Sequence, residues 1–145
     1  MLLKDSVDIF TKSKRSESMS RVGRSDTKPE KSVRSILHKL GYRFRIQNRN
    51  LPGSPDICLS RYMTVVFVHG CFWHRHRDCK YASTPKTRRV FWTKKFEANM
   101  ARDRNVKRQI TRMGWTHLTI WQCELKNPER LLNRLMRTLP RIKRK

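Results

Sequence analysis

A chain of 145 residues, 37% of them apolar, allows one domain with a modest core and a large polar surface. Its 35 Lys and Arg against 11 Asp and Glu leave a net charge of +24, spread along the whole length, which points to a polyanionic partner and to nucleic acid first. No stretch nears the ~18 apolar residues of a membrane span, and the opening MLLKDSVDIF is unlike a secretory leader, so a cytoplasmic chain without membrane contact is expected, its four cysteines serving as metal ligands or core residues and not as disulfides.

Residues 1–25 read as a basic arm, 26–140 as one folded domain and 141–145 as a basic tail. Thr27-Lys28-Pro29-Glu30 is a capping box, and Val33, Ile36, Leu37 and Leu40 follow at helical spacing until Gly41. Tyr42 to Gln47 alternates, with Tyr42, Phe44 and Ile46 on one side, and predicts a strand. After the turn-rich Leu51-Pro52-Gly53-Ser54-Pro55, the runs Asp56–Leu59 and Met63–Val68 predict a β-hairpin around Ser60-Arg61-Tyr62. Residues 69–89, dense in His, Cys, Arg and Lys, should be irregular. A long helix over Val90–Met113 ends at Gly114, and Trp115–Trp121 predicts a buried strand. Asn127-Pro128-Glu129 opens a last helix with Leu131, Leu132, Leu135, Met136 and Leu139 on one face. The order is that of an α/β fold, a mixed sheet flanked by helices.

Asp56 opens the first hairpin strand and His69 closes the second, so both lie at one end of the hairpin. A carboxylate beside an imidazole there suits a divalent metal and a water positioned to attack a phosphate. Mg²⁺ prefers oxygen donors, so Asp56, a backbone carbonyl near Val68 and phosphate oxygens would serve. Glu30 precedes Val33 by three and Leu37 by seven and so faces the core, while Asp103 shares a face with Phe96, Met100 and Ile110. An acid on an apolar stripe needs a partner: metal, water or histidine. Each acid alone also has a plainer reading. Glu30 can be the capping-box acid, Asp103 can pair with Arg102 or Arg104, and Asp56 can be a turn residue. Their convergence on one sheet end favours function.

Cys71, His76 and Cys79 have a C-x4-H-x2-C spacing, and Cys123 at the end of the last strand can supply a fourth ligand. Thiolates with one imidazole at tetrahedral geometry suit structural Zn²⁺, which would fix an otherwise loose loop. His74 falls outside that set and is free for acid–base work; Cys58, mid-strand, reads as a core residue.

The whole pattern resembles the very-short-patch repair (Vsr) endonuclease family, carried by Leu51-Pro52-Gly53-Ser54-Pro55-Asp56, His69-Gly70-Cys71-Phe72-Trp73-His74, Phe91-Trp92 and Ala101-Arg102-Asp103-Arg104. The resemblance covers nearly the whole chain. It implies a fold related to type II restriction endonucleases, Mg²⁺ at Asp56 with the Val68 carbonyl, His74 acting on the attacking water, and His69, Glu30 and Asp103 completing the site. It matches Cys71, His76, Cys79 and Cys123 to a structural zinc, and Phe72, Trp73 and Trp92 to aromatics that wedge into DNA beside a T:G mismatch, with Met19 of the arm inserted from the other groove. It implies a monomer acting on mismatched double-stranded DNA in a methylation-linked repair pathway, with a repair protein as partner. Two departures stand out: Val68 occupies a position where the best-known members carry Thr, and the step from His76 to Cys79 is one residue longer. The aromatics could instead pack beneath the zinc loop, although bulky rings in a basic segment are what DNA wedging needs. Two other readings compete with the mismatch nickase: a homing or restriction-like nuclease cutting matched sites, and a zinc-stabilised nucleic-acid-binding protein without catalysis.

Overall fold

The computed structural model describes residues 27–142. The basic arm with Met19, and residues 143–145 of the tail, lie outside them. Among the described residues three α-helices and a four-stranded sheet follow in the order α1 (Lys28–Lys39), β1 (Arg45–Ile46), β2 (Ile57–Leu59), β3 (Thr64–His69), α2 (Arg89–Arg112), β4 (Thr116–Trp121) and α3 (Pro128–Thr138), with short 3-10 turns at Ser60–Tyr62 and Gln122–Lys126. The sheet order is β1-β2-β3-β4, with the first two pairings antiparallel and β3–β4 parallel. Among the described residues no helix is long and apolar enough to cross a membrane.

The period-2 alternation of the strands sorts the core into two layers. Ile57, Leu59, Val66 and Ile120 face α1 and α3, where they meet Val33, Leu37, Leu131 and Leu135. Cys58, Val65 and Phe67 face the other way, towards Ile110 of α2. Joining two parallel strands requires a crossover, and α2 is that crossover, laid across the second face. The helix ends behave as their sequences dictate. The Thr27 hydroxyl accepts from the Glu30 amide at 3.3 Å, the Asn127 side chain accepts from the Arg130 amide at 3.2 Å, and Gly114 follows α2 at φ 82, a left-handed conformation that glycine adopts without strain.

Four expectations are corrected. The strand predicted over Tyr42–Gln47 shrinks to Arg45–Ile46, because β1 lies at the sheet edge and its partner β2 has only three residues. Ile46 does not share a face with Tyr42 and Phe44: it is 45% exposed, while those two join the α1/α3 layer. The last strand is not buried throughout. β4 is the other edge, and only Ile120 in it is fully covered. Met136 is 64% exposed, since the apolar face of α3 runs through Leu131, Leu135 and Leu139 and leaves Met136 beside it.

Candidate active site

Strand parity brings the acidic and imidazole side chains together. Cys58, Val65 and Phe67 point to the α2 side of the sheet, so Asp56, two before Cys58, and His69, two after Phe67, point there too. On α2, Asp103 lies seven residues before the buried Ile110 and faces back to the sheet. Glu30 reaches the same end from the first turn of α1. All of them, with His74, line one cleft of about 600 Å³.

In the cleft His74 Nδ1 and Asp103 Oδ2 are 2.7 Å apart. A carboxylate can only accept, so Nδ1 carries the proton, and in the neutral imidazole the lone pair is then on Nε2. Histidine is therefore the partner of Asp103, and neither Arg102 nor Arg104 is. Burial works against ionising Asp103, but the hydrogen bond and charge of His74 outweigh it and hold the carboxyl below its ordinary range. The His69 ring lies parallel to that of His74, with centroids 3.8 Å apart. Burial, reinforced by the charge of His74, pushes His69 down to about 3, so it stays neutral near neutral pH. Donor atoms of His69, His74 and Asp103 all lie within 4.8 Å of one another.

Asp56 stands outside that group of three. Its Oδ2 accepts from the Val68 amide at 2.7 Å. In an extended strand the N–H and C=O of one residue point to the same edge, so the Val68 carbonyl is directed to the Asp56 side as well. Burial, only partly offset by the Val68 amide, raises the Asp56 carboxyl to about 6, and Glu30 adds like-charge repulsion. Glu30 is only 4% exposed and its Oε2 receives Arg34 Nη2 at 3.3 Å. Two acids crowded at the mouth of a dry strand end, with a carbonyl beside them, offer the charge and the oxygen donors that a hard divalent cation needs.

Sheet register also assembles the second cluster. His69 pairs with Trp121 in the parallel ladder, so two residues further on Cys71 and Cys123 leave the sheet side by side. His76 and Cys79 complete a set whose donor atoms all lie within 4.8 Å; Cys123 Sγ is 3.4 Å from His76 Nδ1. Between His76 and Cys79 the backbone is left-handed at Asp78 (φ 55), as it also is at Arg75 (φ 54) just before His76. Burial raises the Cys71 thiol. Burial and then the neighbouring thiols push Cys123 up to about 12. At Cys79 burial is outweighed by the Tyr81 amide and by the other two thiols, and the thiol is lowered. Three thiols, two of them raised and one lowered, gathered with an imidazole, are a donor set of the kind that tetrahedral Zn²⁺ takes.

Between the clusters the aromatics gather. Phe72 packs edge-on against Trp73, Trp92 and Phe96, with centroids 5.1–5.5 Å apart, and Phe91 meets Trp92 at 5.2 Å. Phe96 is buried beneath them, while Phe72, Trp73 and Trp92 stay partly exposed and Trp73 borders the cleft. Asn99 and Lys107 also belong to this region and carry no sequence motif, whereas Arg102 lies in the stretch already singled out. Asn99 Nδ2 donates to the Trp73 carbonyl at 3.0 Å, and Arg102 and Lys107 line the cleft beside Asp103. Stepping by four along α2 from Asp103 reaches both Asn99 and Lys107, and that spacing is the signal that finds them.

The profile of a family described as DNA mismatch endonuclease Vsr matches residues 7–81. The chain is similar to the type II nicking enzyme V.XorIIP of Xanthomonas oryzae pv. oryzae, 46% identical over 83% of this chain and 88% of that one. It is 42% identical to the type II nicking enzyme V.NmeAIP of Neisseria meningitidis, over 94% of this chain and 96% of the relative. It is 40% identical to the DNA mismatch endonuclease Vsr of Escherichia coli, over 86% of this chain and 79% of that enzyme.

Proposed function

The chain belongs to the Vsr family of DNA mismatch endonucleases, and from that premise we propose that this DNA nicking endonuclease of mismatch repair hydrolyses one phosphodiester bond in one strand beside a T:G mismatch, with Mg²⁺ at Asp56 and Zn²⁺ in the thiol cluster. The observation that carries the reading is the His74–Asp103 pair at 2.7 Å in the cleft that also holds Asp56.

Asp103 holds the His74 ring with Nδ1–H towards it, so Nε2 faces the reaction as a base for the attacking water. His69, neutral and stacked on His74, fixes the plane of that ring. Asp56 and the Val68 carbonyl are the oxygen donors for Mg²⁺, and the use of a backbone atom explains why Val at position 68 is compatible with the chemistry. When bound, Mg²⁺ stabilises the negative charge that develops on the phosphate. Cys71, His76, Cys79 and Cys123 hold Zn²⁺, which ties the loop carrying Phe72, Trp73 and His74 to the sheet. Phe72, Trp73 and Trp92 enter the base stack where a mismatch makes unstacking cheapest. The fold is restriction-endonuclease-like, the protein works as a monomer on double-stranded DNA, and one cleft per chain accounts for cutting one strand.

The test is a nicking assay on matched and T:G duplexes with Mg²⁺, scored for each strand. Nicks should appear in one strand of the T:G duplex, and Asp56→Ala should lower their rate by roughly a thousandfold or more while DNA binding, which rests on many Lys and Arg, survives. Double-strand cutting of matched DNA would favour a restriction-like role. Near-normal cleavage by Asp56→Ala would overturn the metal site.

A further inference from the structure

Arg75 sits between the aromatic and thiol clusters and belongs to neither. Among the described residues most Lys and Arg are exposed, yet Arg75 is half-buried and bonded to neutral groups. Its Nη1 donates to the Ser83 carbonyl at 2.9 Å and, at 3.4 Å, to the Phe72 carbonyl. Its Nη2 donates to Thr84 Oγ1 at 3.0 Å. The guanidinium lies 4.0 Å from the centre of the buried Phe96 ring. One planar group thus joins the start of the loop, its far limb and α2.

We infer that Arg75 is a positioning residue for mismatch selectivity: it locks the loop so that Phe72 and Trp73 meet the DNA already ordered. This rests on the wedge role assigned above. Phe72 and Trp73 lie outside any helix or strand, and side-chain hydrogen bonds tie their backbone down at two points: Asn99 of α2 holds the Trp73 carbonyl, and Arg75 of the loop itself holds the Phe72 carbonyl and the limb opposite. A wedge free to move would lose its freedom on insertion, and that ordering cost is subtracted from binding. It falls only on DNA into which the rings insert, so releasing the loop should weaken mismatch recognition more than general binding. Lysine cannot substitute, because a point charge on a flexible stem cannot stack on a ring and bridge two acceptors at once.

The experiment compares the ratio of kcat/KM for T:G and matched duplexes in Arg75→Lys, Thr84→Val, Trp73→Ala and the double variant Arg75→Lys/Trp73→Ala, each with zinc content and Tm measured. Arg75→Lys should lower the ratio by about three- to tenfold, the scale of immobilising one or two side chains, with zinc retained. Thr84→Val, which removes a single acceptor, should shift it less in the same direction and decides the matter should the lysine variant fold poorly. In the Trp73→Ala background Arg75→Lys should lower the ratio by less than it does alone, because one of the two rings it positions is already removed and only Phe72 remains. A ratio unchanged in both single variants, or a full additional loss in the double variant, overturns the inference. If Trp73→Ala itself leaves the ratio intact, the wedge role fails and the positioning role falls with it. If Trp73→Ala lowers the ratio and Arg75→Lys does not, only the positioning role fails.

Discussion

The two donor clusters draw on the same stretch of chain and alternate along it: His69, Cys71, His74, His76, Cys79. They differ in almost everything else. The thiol cluster has four donors of the kind that satisfy a tetrahedral ion completely and leave no coordination position for substrate. The other has nitrogen and oxygen donors lining an open cleft, with Asp56 and the Val68 carbonyl a short way off. Four soft donors make a closed staple; a few hard ones at a cleft make a place where a phosphate can still enter. Local spacing alone does not separate these roles. The end of β3 does: inside the strand His69 faces α2, while Cys71, beyond the strand end, is freed from that face and joins the other cluster.

Breaking the closed cluster should have the largest effect. Cys123→Ser removes one thiolate, and structural zinc is worth on the order of 10–16 kcal/mol of apparent folding energy. We expect loss of about one bound zinc per chain and a fall in Tm of roughly ten degrees or more, read by elemental analysis and thermal melting. A zinc-free protein that is correctly folded and fully active would remove the distinction between the clusters.

The open cluster should respond in rate and not in stability. Asp103→Asn leaves the shape of the dyad but allows the wrong tautomer of His74, and general-base catalysis is worth about 10²–10⁴-fold. Single-turnover nicking should slow by that order with zinc content and Tm little changed. An unaltered rate would mean that His74 is oriented by something else.

A smaller, graded effect should come from pH. The Asp56 carboxyl is raised to about 6 by burial, so in the metal-free protein the neutral form is favoured below about pH 6 and the ionised form above it. Its contribution to stability is fully present below the ordinary carboxylate value and disappears as pH rises through about 6. Mg²⁺ requires the ionised form, so its affinity should climb about tenfold per pH unit up to about 6 and level off above. The rise in Tm on adding Mg²⁺ should therefore be slight at pH 5 and clear at pH 7. A Mg²⁺ effect that is flat across that interval would take Asp56 out of the metal site.

Much of this was legible in sequence because it rests on local rules. The Thr27 cap, the hairpin over Ile57–His69, the extent of α2 and the start of α3 all follow from spacing and capping chemistry. The core-facing placement of Glu30 and Asp103 follows from helical periodicity. What escaped depends on neighbours distant in the chain. Alternation in Tyr42–Gln47 cannot reveal that β1 is an edge, and the apolar face of α3 cannot reveal where its burial stops short of Met136. Arg75 and Asn99 escaped for another reason: a side chain that bonds backbone carbonyls leaves no motif, since any sequence can provide the acceptor.

The parallel ladder between β3 and β4 also bears on how the chain folds. These strands can pair only after α2 has been laid between them, a non-local closure of the kind that makes folding slow. Cys71, His76 and Cys79 are close in sequence and can gather early, whereas Cys123 arrives with β4. A zinc ion captured by the first three would wait one ligand short until β4 docks in the register that delivers the fourth. The metal would then act as a proofreader of strand pairing: a slip of one residue along β4 would carry Cys123 out of step with Cys71 and leave the ion incompletely held.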